Sequence, residues 1–207
     1  MSRVLIVDYE AGNIGSVANI IKKAGGHAVV SQDPREIASA ESIVLPGVGH
    51  FARAMARIRS SGIASAMADA VLGRGVPFLG ICLGMQLLAD YGEEGDCEGL
   101  GWVRGRVNRF NLPADSTLRV PHMGWNSIEC KSSDWLFADL PPAPRFYFVH
   151  SYHFVCDHPT DEIASSCHGY SFTSAVGHGN IRATQFHPEK SHRFGLAVIK
   201  NFLKQSS

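Results

Sequence analysis

The sequence predicts an α/β fold: a three-layer sandwich whose central sheet is mostly parallel, extended by antiparallel strands. Three observations carry this expectation. In the first half, short strands that are apolar throughout alternate with helical stretches, the pattern of a parallel sheet covered on both faces. From Gly99 to about Gln185 the signal becomes many short strand candidates with turn residues between them. The composition, 45% hydrophobic and 18% charged over 207 residues, suits one globular domain spanning the chain.

The elements follow in order. Val4–Val7 is a β-branched run that reads as the first strand. Asn13 is placed to cap a helix with Ile14, Val17, Ile21 and Ala24 near a 3.6 period, ended by Gly25-Gly26. His27–Ser31 and Ser42–Leu45 read as strands, and Pro46-Gly47-Val48-Gly49 then breaks the chain. Phe51–Gly73 reads as helix, split at Gly62. Pro77–Ile81 is a wholly apolar strand, and Cys82–Tyr91 follows it as a helix. In the second half Arg145–Val149, Ile163–Cys167 and Ile181–Phe186 are strand candidates expected to add to the sheet antiparallel. Pro141–Pro144 reads as a surface loop. Ser191 is placed to cap a last helix that buries Phe194, Val198, Phe202 and Leu203.

Charge and cysteine content narrow the function classes. Lys plus Arg and Asp plus Glu both number 19, so nothing electrostatic points to nucleic acid or an anionic membrane. No apolar run is long enough to span a bilayer, and the N-terminus leads into a strand rather than a signal peptide. Five cysteines, an odd number without a C-x-x-C pair, fit a reducing, cytoplasmic location.

Two segments carry candidate chemistry. Gly80-Ile81-Cys82-Leu83-Gly84 joins an apolar strand to a helix, the setting of a nucleophile elbow. A cysteine at a helix N-terminus is favoured as the thiolate, and the N–H of Leu83 would face a developing oxyanion. The same five residues equally fit a buried cysteine between packing glycines. Gln185-Phe186-His187-Pro188-Glu189 offers a base. Residues two apart in an extended segment share a side, so Glu189 can orient one nitrogen of His187 while the other faces a thiol. Taken alone, H-x-E also fits a surface histidine near a glutamate. The Gly47-Val48-Gly49 loop is either a second oxyanion donor or a plain tight turn. His150-Ser151-Tyr152-His153 lacks acidic or cysteine ligands at metal-binding spacing, so no metal and no cofactor is expected.

Taken together, Gly80–Gln86, Gln185–Glu189 and Leu45–Gly49 resemble the class I, triad-type glutamine amidotransferases along essentially the whole chain. Asp8-Tyr9 with Gly12-Asn13, Pro121–Asn126 and Phe146–Tyr152 are most similar to the glutaminase subunits of imidazole glycerol phosphate synthases. The resemblance implies hydrolysis of L-glutamine with Cys82 as nucleophile, His187 as acid and base, and Glu189 orienting His187. It implies that Gly47, Val48 and Leu83 shape the oxyanion hole, and that Gly49, Gln86, His150, Ser151 and Tyr152 hold glutamine, with Glu94 at its amino group. It further implies a heterodimer with a (β/α)8-barrel synthase subunit met by Met123, Trp125, Asn126 and Lys190. Three alternatives stay open here: a paralogous subunit supplying ammonia to another synthase, such as one modifying surface sugars; a cysteine peptidase of similar topology; and a non-catalytic regulatory subunit on the same fold.

Overall fold

The computed structural model describes residues 2–10, 12–131 and 133–205. The chain runs β1 (Arg3–Val7), α1 (Ile14–Lys23), β2 (His27–Ser31), α2 (Pro34–Ala38), β3 (Ile43–Gly47), α3 (Phe51–Ser60), α4 (Ile63–Ala68), β4 (Phe78–Cys82) and α5 (Leu83–Gln86). There follow β5 (Tyr91–Gly92), β6 (Cys97–Glu98), β7 (Gly105–Arg109), β8 (His122–Ser127), β9 (Glu129–Cys130) and β10 (Arg145–His150). The last elements are β11 (Tyr152–Cys156), β12 (Glu162–His168), β13 (Tyr170–His178), β14 (Ile181–Thr184) and α6 (His192–Gln205).

The main sheet has the order β2-β1-β3-β4-β14-β13-β11-β7-β5-β6, with β12 and β9 attached through β13. Strands β2, β1, β3, β4 and β14 are parallel. The sheet is extended through antiparallel β13, β11 and β7. Alternation along β1 shows why two helical layers form. Leu5 and Val7 enter the core beneath α3 and α4, while Val4 and Ile6 enter the core beneath α1 and α6.

Several expectations need correction. Ile181–Phe186 was expected as an antiparallel addition, but β14 is antiparallel only to β13 and runs parallel to β4. Arg145–Val149 does not join the main sheet; β10 pairs with β8 as a separate two-stranded sheet. The helix expected over Cys82–Tyr91 is a single turn. The carbonyls of Leu87, Leu88 and Ala89 are taken by the N–H groups of Leu100, Trp102, Val103 and Gly101, which return along this segment and end the helix.

Local signals explain the remaining differences. Asn13 stands at the cap position of α1 but its side chain makes no capping bond. Ser191 likewise spends its hydroxyl elsewhere, and only its carbonyl meets α6, accepting from Gly195. The short helix α2 went unread although its start is explicit: Asp33 accepts from the Arg35 N–H at 2.8 Å, with Pro34 in the first turn. Gly62 does split the long helix, with φ at 77°.

Candidate active site

The site is built where β3, β4 and β14 end side by side. Cys82 closes β4 with φ 56° and ψ −108°, a conformation that side-chain-bearing residues seldom adopt. The turn back into α5 explains the flanking glycines. A Cβ on Gly84 would run into the Leu45 carbonyl, and one on Gly80 would lie 2.7 Å from the Gly84 oxygen. The strained turn thus holds the Cys82 side chain at the C-terminal edge of the parallel strands, 6% exposed.

Sheet register brings the other segments to this point. Gly47 pairs with Cys82 across β3 and β4, so the loop that follows leaves from beside the thiol. A Cβ on Gly47 would clash with the Tyr9 hydroxyl and approach the Leu83 Cβ to 2.9 Å. Val48 then turns outward and Gly49 has φ 113°. Glu94 sits at the start of α3, where Oε2 accepts from the Phe51 N–H at 2.8 Å. The Tyr9 hydroxyl is buried without a partner; burial, and then the Cys82 charge, push its pKa well above the ordinary phenol value.

His187 arrives from β14, whose Thr184 pairs with Ile81. Its N–H donates to the Tyr147 carbonyl at 2.9 Å, and the His187 carbonyl accepts from Ser191 Oγ at 2.6 Å. Glu189 does not follow in an extended run as expected. Residues Pro188–Lys190 form a 3-10 turn, and this turn swings the carboxylate back so that His187 Nδ1 lies 2.8 Å from Glu189 Oε1. Both side chains are about 2% exposed or less.

The remaining nitrogen, Nε2, is buried and has no hydrogen-bond partner. Burial would lower the imidazole pKa, but Cys82 and Glu189 together outweigh it and raise the value to about 10. The two partners thus favour the protonated ring: Glu189 holds Nδ1–H, and Nε2 is the nitrogen on the Cys82 side that can take the thiol's proton. That arrangement can deliver a sulfur nucleophile and return a proton to a leaving group.

The other sequence candidates are distributed unevenly. Gln86 is buried, and its Nε2 donates to the Tyr152 carbonyl at 3.0 Å and to Gln185 Oε1 at 2.9 Å. The Ser151 carbonyl accepts from Phe110. His150 is turned into an aromatic pocket with His122, Phe110 and Phe172, and its Nδ1 bonds to the Tyr152 carbonyl. Gln185 received no role in the sequence, yet its Nε2 lies 3.6 Å from Cys82 Sγ. The available signal was spacing: Gln185 and His187 are two apart just beyond β14, while Phe186 between them stacks on Phe146 in the core.

The expected partner-facing residues lie on the small sheet. Met123 and Trp125 are 63% and 39% exposed on one face of β8. Trp125 packs beside Tyr147 and stacks on His192, and Lys190 lies over the Tyr147 ring. Asn126 differs. It projects to the other face of β8, donating to the Cys167 carbonyl at 2.8 Å and contacting His122. Strand alternation is the reason.

Among the described residues no helix is long and apolar enough to cross a membrane, and no cluster of His, Cys, Asp or Glu could hold a metal. The glutamine amidotransferase class-I family model matches residues 5–206. The chain is 46% identical over 200 residues to imidazole glycerol phosphate synthase subunit HisH of Bdellovibrio bacteriovorus, covering 96% of this chain and 98% of that protein. It is 43% identical over 198 residues to the subunit HisH of Leptospira borgpetersenii, covering 95% and 97%. Among solved structures, a glutamine amidotransferase superposes with a TM-score of 0.76 at 17% identity, covering 98% of each chain. PurLQS from Thermotoga maritima does so at 0.74 and 19%, covering 99% of each. These two matches speak for the fold; the family follows from the near-full-length sequence matches, and the chain belongs to the class I glutamine amidotransferases.

Proposed function

We infer that this chain is the glutaminase subunit of an imidazole glycerol phosphate synthase. It hydrolyses L-glutamine to glutamate and ammonia, and a separate (β/α)8-barrel synthase subunit uses the ammonia to make imidazole glycerol phosphate and AICAR in histidine biosynthesis. The observation that carries the chemistry is the His187 imidazole, bonded to Glu189 at 2.8 Å through Nδ1 and interacting with Cys82 on its other side. The HisH relatives, matched over nearly their whole length, carry the pathway.

The steps follow from this geometry. Cys82 sulfur attacks the side-chain amide carbon of glutamine, and the carbonyl electron pair moves to oxygen. The Leu83 N–H and the Gly47-Val48-Gly49 backbone are the donors for that oxyanion. As the tetrahedral intermediate collapses, the C–N bond breaks and His187 gives its proton to the departing ammonia, leaving a glutamyl thioester. His187, now neutral, takes a proton from water; hydroxide attacks the thioester carbon, glutamate leaves and the thiolate returns. Glu189 holds Nδ1 throughout.

Met123, Trp125 and Lys190 form the face offered to the synthase, which makes the working unit a heterodimer. Glutamine and ammonia provide the test. Treating the complex with a thiol-alkylating chloroketone analogue of glutamine should label Cys82 and abolish glutamine-dependent synthesis, while added ammonium salt still supports it. Unlabelled Cys82 in the presence of partner and acceptor substrate, with glutamine-dependent synthesis intact, would sink the reading.

A further inference from the structure

We propose that Gln185 is a further functional residue of the glutaminase, whose side-chain amide donates to Cys82 Sγ and holds the nucleophile as the thiolate. The proposal rests on Cys82 being the nucleophile. Its own support is geometric. Gln185 is fully buried and its Nε2 lies 3.6 Å from the sulfur, a normal length for an N–H···S contact. His187 and the Tyr9 hydroxyl also interact with this sulfur, and Gln185 is the side-chain amide that reaches it.

The orientation of the amide is determined by its neighbours. Gln86 Nε2 has two hydrogen-bond acceptors, the Tyr152 carbonyl and Gln185 Oε1. Because Oε1 of Gln185 accepts there, its NH2 group must point at the sulfur. The far end is equally constrained. Burial pushes His150 down to about 3 and His122 down to about 4, so both rings are neutral at physiological pH. A neutral His150 that donates Nδ1–H to the Tyr152 carbonyl at 2.7 Å must accept at Nε2, so His122 donates Nδ1–H to it at 3.0 Å. His122 Nε2 then accepts from Asn126, whose amide is set by the Ser127 N–H bonding to its Oδ1 at 2.9 Å.

Two donors therefore meet at the Tyr152 carbonyl, His150 Nδ1–H and Gln86 Nε2–H, and the second hydrogen of Gln86 Nε2 starts a chain through Gln185 that ends with a donor aimed at sulfur. A neutral thiol accepts hydrogen bonds weakly, whereas a thiolate accepts them strongly. A fixed donor in a buried setting thus favours the ionised nucleophile before substrate arrives.

The test is the pH dependence of Cys82 alkylation by iodoacetamide in the full chain, read on the Cys82 peptide by mass spectrometry, with kcat measured in the complex. Gln185→Leu should raise the alkylation midpoint by about one to two pH units and lower kcat roughly tenfold or more. Gln185→Glu keeps the acceptor for Gln86 but replaces the donor with a negative charge, so it should raise the midpoint further. It is the deciding variant if the leucine protein fails to melt cooperatively. A midpoint unchanged from wild type in either folded variant overturns the proposal. The underlying reading fails separately, if Cys82→Ala retains glutaminase activity.

Discussion

Two groups of buried histidines lie on opposite sides of the small β8–β10 sheet, and their chemistry diverges. His187 is 1% exposed; His122 and His150 are each 6% exposed. Burial is nearly the same, and it disfavours the charged ring in all three. Yet His187 is raised to about 10, while His122 and His150 are lowered to about 4 and about 3. The partners decide. His187 has a carboxylate at 2.8 Å and the Cys82 sulfur as its other partner, and the negative charge these carry favours its protonated form. His122 and His150 meet neutral acceptors, aromatic rings and one another, so a charge there would stand uncompensated. Among these rings, a partner of opposite charge marks the one equipped for proton transfer, and neutral donor–acceptor pairs mark those serving as scaffold.

The largest expected effect breaks the charged side of this contrast at its thiol. Cys82→Ala should reduce glutaminase activity by on the order of 10⁴-fold or more. It removes one sulfur from an elbow that keeps its glycines, so folding and ammonia-dependent synthesis in the complex should persist. A parallel loss of the cooperative melt would show that the thiol is structural.

The contrast also predicts opposite limbs in stability against pH. His187 has a folded pKa of about 10 against an ordinary 6.5, so its contribution is full below about 6.5 and disappears as pH rises toward about 10. For His122 and His150 the folded values lie below 6.5, so stability is present above that pH and is lost as pH falls through about 4 and about 3. Melting temperatures from pH 4 to pH 10 should therefore fall at both ends. His187→Asn should flatten the alkaline limb and His150→Leu the acid limb, with roughly 2–4 °C of Tm for each kcal/mol involved. If each substitution altered the other limb, the assignment of charge states would be wrong.

Legibility in the sequence followed the range of the interactions. Cys82 with Gly80 and Gly84, and His187 with Glu189, are local patterns; the elbow forms where its spacing suggested, whereas a 3-10 turn rather than an extended run brings Glu189 to His187. The five-stranded parallel core was readable except for β14, since nothing local distinguishes a strand that returns to lie beside β4 from one added at an edge. Pairings across the chain were hidden. Gln86 with Gln185 and His122 with His150 are separated by 99 and 28 residues, and neither member of either pair shows its partner in sequence. The inward turn of Asn126 could have been read from period-two alternation with Trp125 once β8 was recognised as a strand.

The smallest expected effect concerns the outer face of the sheet that separates the two histidine groups. Trp125 stacks on His192 with the ring planes 5° apart and packs at a steep angle against Tyr147, whose backbone carbonyl accepts from the N–H of His187. A large aromatic held in this way presents apolar area without losing much rotamer freedom on binding, the usual property of an interface anchor. Trp125→Ala should weaken the synthase complex by about 2 kcal/mol, roughly 30-fold in Kd by calorimetric titration. Because Tyr147 is fixed independently by the Ser191 hydroxyl, which accepts from its N–H at 3.0 Å, the variant should leave the His187–Glu189 pair in place. Glutaminase activity of the complex, once saturated with synthase, should then return close to wild type. A persistent loss at saturation would mean that Trp125 acts on His187 through β10, and that the outer face belongs with the charged histidine rather than apart from it.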